Sequence, residues 1–148
     1  MEEEQVPLTA SLGRILARSI YADHPQPSFD RSPPDGYALR AADIAGSAHD
    51  TPAVLAVVDT LYAGDVASIP TLQGQAVRLM TGSMIPQCAD CVIRQEDTDE
   101  GERVVQIFQT VSAGSNICYR GEKYQAGECL ISAGQQLDAA AFPWARRI

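Results

Sequence analysis

The chain has 148 residues, 45% of them hydrophobic, which fits one domain or two small ones with a buried core. Eleven Lys and Arg stand against nineteen Asp and Glu, and the formal charge of -8 argues against binding to nucleic acid or an anionic membrane surface. No apolar run reaches the roughly 18 residues of a membrane span, and the acidic N-terminus does not resemble a signal peptide, so we expect a cytoplasmic protein.

The first twenty residues carry a helical pattern. Apolar side chains recur at helical spacing from Leu8 to Ile20, which predicts a helix over about 8–18 in spite of Gly13. The next residues, 20–22, favour a short extended segment.

Prolines dominate the segment that follows, because residues 23–34 contain four of them. Proline fixes φ and lacks an amide donor, so this segment predicts a stiff, extended connection that positions Asp35. Residues 40–45 then favour a single helical turn that ends at Gly46.

The middle of the chain has a β pattern. Four β-rich runs are bounded by turn residues, at 53–59, 75–80, 91–96 and 104–111. Together with a hairpin turn predicted at 99–102, they predict a compact antiparallel β unit.

The last third is divided by glycines at positions 114, 121, 127 and 134, which predicts short strands joined by turns. Residues 137–141 favour the start of a helix with Asp138 as its cap, although Pro143 would end it early. The complete pattern predicts a β-dominated α+β fold in two lobes, with the early helix packed against the late strands.

Two short segments place a polar residue beside a glycine, Asp35–Gly36 and Thr81–Gly82. The Asp35 carboxylate suits an oxygen ligand for Mg²⁺ or a general base. The hydroxyl and amides at Thr81 suit the binding of an oxyanion. Both segments are equally typical of ordinary turns, and the residues alone favour the turns.

Further polar residues follow the later predicted strands. Gln95 and Glu96 close one strand, and Arg120 supplies a cation before Gly121. Solvated acidic groups and a surface ion pair are the plainer interpretations of these residues. Nothing in the sequence matches a phosphate-binding GxxxxGK loop, a dinucleotide fingerprint or a Ser-His-Asp triad.

The cysteines allow a metal or redox interpretation, because Cys88 and Cys91 have C-x-x-C spacing. The other pair, Cys118 and Cys129, does not form a second zinc half-site, and no histidine lies near any of the four in sequence. We therefore expect free thiols in a reducing compartment and no zinc.

Taken together, these segments resemble the N-terminal part of the molybdopterin molybdotransferase family, MoeA and the gephyrin E domain. The resemblance runs in order through nearly the whole chain. It rests on residues 12–17, 25–30, Ser32, 35–38, 40–43, 63–64, 76–82, Pro86, 89–90, Val92, 95–96, Gly114, 116–117, 120–122, 127–128 and 133–134.

The resemblance implies an elongated dimerisation domain made of residues 1–45 and 111–148, with a β-rich domain at 46–110 inserted between them. It further implies a homodimer, and a molybdopterin-binding domain and a C-terminal β domain that we expect to be absent from these 148 residues. The active cleft of the family combines this region of one subunit with the molybdopterin-binding domain of its partner. We therefore expect the 148 residues alone to be inactive.

The family reaction is Mg²⁺-dependent and converts adenylylated molybdopterin and molybdate into molybdenum cofactor and AMP. The resemblance implies that Asp35 and Thr81 are catalytic, with Asp35 orienting Mg²⁺ or the pyrophosphate and Thr81 bonding to an oxyanion. It implies substrate contacts at a second set of residues: Ser32, Gly36, Tyr37, Gly82, Gln95, Glu96, Arg120 and Glu122.

Two departures from the family motifs leave a second interpretation open. Residues 31–34, Arg-Ser-Pro-Pro, replace Asn-Ser-Ala-Met before Asp35. The basic run before Gly121 is reduced, and Lys123 stands where the family has an acid. The alternative to an enzyme is a non-catalytic dimerisation or scaffold module that has diverged from the family.

Overall fold

The computed structural model of the chain describes residues 3–139, which fall into two compact units. The first, here called the two-segment unit, combines Met1–Ser28 with Gly121–Ile148. The second, here called the sheet unit, is Phe29–Arg120.

The described fold is strand-dominated, as predicted. Its seven strands are β1 (Ile20–Tyr21), β2 (Gly36–Leu39), β3 (Ala53–Leu61), β4 (Gln75–Leu79), β5 (Cys91–Arg94), β6 (Val104–Ile107) and β7 (Cys129–Ile131). Within residues 3–139 the helical elements are three short 3-10 helices, Leu8–Ala10, Ala41–Ile44 and Gln95–Asp97. None of these is long or apolar enough to cross a membrane.

The sheet unit contains a five-stranded mixed sheet in the order β5-β2-β4-β3-β6. The four β-rich runs of the sequence correspond to β3, β4, β5 and β6, so those predictions are confirmed. The prediction of an antiparallel unit is wrong for one pair, because β3 and β4 run parallel. Parallel neighbours need a long crossover connection, and residues 62–74 provide it.

Strand β2 is buried along its whole length because both faces of the sheet are covered. Tyr37 and Leu39 pack on one face with Ile93, and Ala38 packs on the other with Val77. Burial on both faces explains why the neighbouring strands read as continuous apolar runs. It also fixes β2 between β4 and β5, and thereby the position of Asp35, the residue that precedes β2.

The predicted hairpin turn at 99–102 does not join β5 to β6, because those strands lie at opposite edges of the sheet. The chain leaves β5 through the 3-10 helix Gln95–Asp97, and Thr98 then forms an isolated antiparallel bridge with Ile107 of β6. The helical turn predicted at 40–45 is present as Ala41–Ile44.

The helix predicted over 8–18 is wrong, since only Leu8–Ala10 forms a 3-10 turn. Gly13 adopts a φ of 79°, and its amide donates to the Leu137 carbonyl at 2.7 Å. The Arg14 carbonyl accepts from the Leu137 amide at 2.8 Å. Backbone pairing with the late segment therefore replaces the helix that the apolar spacing favoured.

The early and late segments do pack together as expected. Strand β1 pairs with β7, and Ile131 and Leu137 form a small core with Leu16 and Ile20. Between residue 112 and residue 139, β7 is the one named strand, and the rest is turns and isolated bridges. The helix start predicted at 137–141 extends into residues outside the described part of the chain.

The sheet unit begins and ends at different residues from the inserted domain expected at 46–110. Residues 29–45 belong to it because β2 pairs with β4 and β5. Residues 111–120 also belong to it, since the Val92 amide donates to the Ser115 carbonyl at 3.0 Å along the outer edge of β5.

Candidate functional site

The sheet brings Asp35 and Thr81 together at one end of the β2–β4 pair. The antiparallel register places Gly36 of β2 opposite Leu79 of β4, so the residue before β2 lies beside the turn after β4. The Thr81 amide donates to Asp35 Oδ1 at 2.6 Å, and the Thr81 hydroxyl donates to the same oxygen at 2.7 Å. The two segments that the sequence singled out thus form one polar site.

The proline-rich segment interlocks with the Thr81 turn through its backbone. The Ser32 amide donates to the Ser83 carbonyl at 2.9 Å, and the Gly82 amide donates to the Ser32 carbonyl at 2.8 Å. The buried Ser32 hydroxyl donates to the Pro34 carbonyl at 2.6 Å. These bonds hold the approach to Asp35 in one conformation.

Gly36 is required at the start of β2 by the closeness of β5. A Cβ built on Gly36 would lie 2.0 Å from the Ile93 carbonyl oxygen, a distance that no side chain tolerates. The Gln95 amide donates to the Asp35 carbonyl at 3.1 Å and extends the β2–β5 ladder by one residue. The backbone of Asp35 is therefore held from the β5 side, and its side chain is held by the turn after β4.

The electrostatics of the site favour an ionised Asp35. The side-chain and backbone hydrogen bonds from Thr81 lower the pKa of Asp35 below its ordinary value near 3.8, and the Arg78 charge lowers it further, against the opposing effect of burial. A general base works best when its pKa lies near the operating pH. A lowered pKa instead suits a carboxylate that binds a cation or orients a charged group.

The other residues assigned by resemblance take different places. Gly82 adopts a φ of 88° in the turn after Thr81, and Gln95 and Glu96 lie in the 3-10 helix beside Asp35. The Tyr37 ring is fully buried, and its hydroxyl donates to the Gly101 carbonyl at 3.1 Å. Burial raises the pKa of Tyr37, whose ring packs in the core of the sheet unit.

Within the sheet unit as the structure describes it, Arg120 forms no hydrogen bond or salt bridge with Asp35 or Thr81. The Arg120 amide donates to Asp30 Oδ1 at 2.7 Å, and its side chain is exposed at the end of the sheet unit. Glu122 is exposed and belongs to the two-segment unit.

The donor set at Asp35 fits Mg²⁺ in one mode only. Among residues 3–139, no group of three or more His, Cys, Asp or Glu side chains converges to hold a metal ion. Thr81 occupies Oδ1 of Asp35, and within the same residues Oδ2 has no hydrogen-bond partner. Mg²⁺ is commonly held by one or two carboxylates together with substrate phosphates and water, and a single free carboxylate oxygen suits that mode.

Two residues at this end of the sheet were not assigned from the sequence. The buried Ser83 hydroxyl donates to the Leu61 carbonyl at 2.9 Å and anchors the Thr81 turn to the end of β3. Arg78 lies on β4, close enough for its charge to act on Asp35. The signal for Arg78 was present in the sequence, as a single charge in the otherwise apolar run 76–80.

Comparisons with known proteins agree on one family. A family model described as the MoeA N-terminal region (domain I and II) matches residues 1–146. The molybdopterin molybdenumtransferase of Bacillus subtilis is 40% identical over 140 residues, covering 92% of this chain and 33% of that protein. A Staphylococcus aureus protein of the same name is 37% identical and is covered to 32%.

A solved structure gives the same result. The molybdopterin biosynthesis MoeA protein of Pyrococcus horikoshii OT3 superposes with a TM-score of 0.91 at 33% identity, covering 97% of this chain and 38% of that one. The chain thus spans about a third of the length of the curated relatives it matches.

Proposed function

Because the chain belongs to the family of the MoeA N-terminal region, we propose that it forms part of the active site of a molybdopterin molybdotransferase. The proposed reaction inserts molybdate into adenylylated molybdopterin during molybdenum cofactor biosynthesis. Molybdate and adenylylated molybdopterin are its substrates, and location in the cytoplasm stays a prediction.

The contact between Asp35 and Thr81 is the observation that carries this proposal. It places a charged, oriented carboxylate against the hydroxyl and the amide of Thr81. In the proposed site, the Asp35 carboxylate would hold Mg²⁺, and the ion would supply positive charge against the pyrophosphate. Thr81 keeps the carboxylate in the orientation that leaves Oδ2 open.

The departure at residues 31–34 leaves Asp35 in contact with Thr81. Ser32 still bonds to the Ser83 and Gly82 backbone, and Asp35 still meets Thr81, with Pro33 and Pro34 in the connection. This geometry supports an enzyme over the alternative, a non-catalytic scaffold module. A scaffold would place no requirement on the carboxylate of Asp35.

We also propose that this region acts together with other parts of its assembly. The sheet unit contains twelve acidic residues and six arginines, so its net charge weakens the binding of large anionic substrates. A molybdopterin-binding domain that faces Asp35, in a homodimer, would supply the missing positive charge and the binding surface. The 148 residues alone are then inactive, because catalysis requires the reacting groups to be held together.

The test is a molybdenum-insertion assay on two proteins: the 148-residue chain, and a longer protein that joins it to a molybdopterin-binding domain. Turnover is expected from the longer protein only. In it, Asp35→Asn should lower kcat about 100-fold and Thr81→Val about tenfold. Asp50→Asn, which removes the same charge from an exposed site, should leave kcat unchanged. Full activity of Asp35→Asn would eliminate the proposed role and favour the scaffold.

A further inference from the structure

Arg78 is the charged residue in the middle of the sheet. On β4 it pairs with Tyr37 of β2 on one side and with Thr60 of β3 on the other. Its neighbours along the strand, Val77 and Leu79, are buried in the core. A strand flanked on both sides is a costly place for a guanidinium group, since the charge loses part of its hydration.

No hydrogen bond or salt bridge of the described residues offsets this cost. Arg78 is half-buried, and its Nε is fully buried without a hydrogen-bond partner among residues 3–139. Within the same residues the Arg78 guanidinium forms no salt bridge. Arg94, by contrast, pairs with Asp97 at 3.0 Å. A buried donor without a partner is rare in native proteins and calls for an explanation.

The strand geometry places Arg78 on the same face of the sheet as Asp35. Side chains alternate along a strand, and Arg78 shares its face with Tyr37, the residue opposite it on β2. Asp35 lies two positions before Tyr37 on the extended β2–β5 ladder, so it faces the same way. The Arg78 charge accordingly acts on both Asp35 and Tyr37.

We propose that Arg78 binds a tetrahedral oxyanion beside the Asp35–Thr81 pair. The planar guanidinium offers parallel N–H donors that match two oxygens of such an anion, which a lysine cannot do. Asp35 acts on Arg78 through its charge, and within residues 3–139 it forms neither a hydrogen bond nor a salt bridge with the guanidinium, while Thr81 holds its Oδ1. The half-buried Arg78 would bind the anion through its terminal nitrogens, since its Nε is fully buried, and the anion would lie next to the Asp35 carboxylate.

The identity of the anion rests on the proposed function, which supplies two candidates of the same chemistry. One is a phosphate group of the adenylylated pterin, and the other is molybdate. Both are multiply charged tetrahedral oxyanions, so both fit the same donors. The experiment must therefore contain one arm for each.

The test follows the Nε–Hε signal of Arg78 by NMR in the 148-residue chain, at constant ionic strength maintained with chloride. Inorganic phosphate and molybdate are added in separate titrations, and the signal is assigned by its loss in Arg78→Lys. We expect the signal to move and saturate with at least one of the two anions. The anion that binds with the higher affinity indicates whether the site takes a phosphate group or molybdate. Movement that never saturates, or an equal response to chloride, means that no specific anion site exists at Arg78 and overturns the proposal.

Variants provide the matched controls, with binding followed on backbone amides near Thr81. Arg78→Gln should weaken anion binding by about tenfold to 100-fold, and Arg78→Lys should be intermediate. Arg103→Gln removes the same charge from an exposed position and should change affinity little. An equal effect of Arg103→Gln would show nonspecific charge attraction and reject the site. The titration measures binding and not turnover. Failure of the insertion assay would therefore overturn the proposed function, while anion binding at Arg78 is decided by the titration alone.

Discussion

Thr81 donates two hydrogen bonds to one oxygen of Asp35, its amide at 2.6 Å and its hydroxyl at 2.7 Å, across 46 positions of sequence. The pairing of β2 with β4 makes this contact possible, because Gly36 and Leu79 are register partners. Two bonds to Oδ1 fix the direction of the carboxylate and leave Oδ2 for a ligand. The stability of the turn and the charge of Asp35 are consequently coupled.

Removal of the Thr81 hydroxyl should raise the pKa of Asp35. In the folded chain the pKa of Asp35 is lowered by this contact. The contact therefore stabilises the fold at pH values above the ordinary pKa near 3.8. This stabilisation is lost as the pH falls through the folded pKa of Asp35. At neutral pH, Thr81→Val should reduce the free energy of unfolding by up to about 1 kcal/mol, since the bond is exposed. The deficit should disappear in acid.

The measurements are a carboxyl ¹³C titration of Asp35 by NMR and urea unfolding at neutral and acidic pH. Thr81→Ser keeps the hydroxyl and serves as the control, with little change in pKa. An Asp35 pKa that is identical in Thr81→Val and the unmodified chain would contradict the coupling.

Gly36→Ala should destabilise the sheet unit through a steric clash with β5. The new Cβ would lie 2.0 Å from the Ile93 carbonyl oxygen, which requires the strands to separate, and we expect a loss of at least about 2 kcal/mol. Gly64→Ala is the control, since its Cβ meets nothing within 4 Å and only the φ of 100° opposes it, at about 1 kcal/mol. Urea unfolding compares the two, and equal losses would refute the clash.

The sequence predicted the local elements of the sheet but not its connections. The runs that became β3 and β4 were identifiable because β-branched residues lie between turn signals. Their parallel pairing was not, because periodicity reports which residues are buried and carries no information about the neighbouring strand. The antiparallel bridge between Thr98 and Ile107, by contrast, spans the hairpin turn predicted at 99–102, because a turn is a local feature of the sequence.

The wrong prediction of a helix over residues 8–18 has a different cause. Apolar residues at helical spacing also suit an irregular segment whose partner lies far away in sequence, here near Leu137. At the candidate site, Asp35 and Thr81 were identified through family resemblance, since their residues alone favoured turns. The buried position of Tyr37 became evident only from the pairing of β2 on both sides.

Asn116 should protect the outer edge of β5. Its Nδ2 donates to the Val92 carbonyl at 2.8 Å, and its φ of 55° lies in the left-handed region that asparagine tolerates. Asn116→Ala loses the bond and adds backbone strain, while Asn116→Gly loses only the bond. We expect the alanine variant to be less stable than the glycine variant by about 1 kcal/mol in urea unfolding. The reverse order would show that neither effect governs this edge.

Cys91 should be chemically inert in the native state. Burial, with a further contribution from Asp90, raises the pKa of the Cys91 thiol to about 12, and the thiolate is the reactive form. At pH near 8, iodoacetamide should modify the exposed Cys88 and spare Cys91, as read by peptide mass spectrometry. Unfolding in guanidinium should make both react.

The same experiment tests the C-x-x-C spacing as a metal site. A zinc ion would be bound by thiolates and would protect Cys88 as well as Cys91. We expect metal analysis of purified protein to find no stoichiometric zinc. Protection of Cys88 that a chelator reverses would restore the zinc interpretation.

The two-segment unit should mediate a homodimer. Leu12 and Ile15 are 59% and 52% exposed, and Tyr21 is 56% exposed, although the unit has only a small core around Ile131. Burial of such side chains against a second copy would contribute about 1 kcal/mol each to dimer stability.

Light scattering should show a dimer, and Leu12→Asp with Ile15→Asp should weaken the dimer affinity by at least about tenfold. Val66→Asp, 71% exposed in the sheet unit, is the matched control and should leave the dimer intact. A monomer at high micromolar concentration, or equal weakening by the control, would count against this surface as the interface.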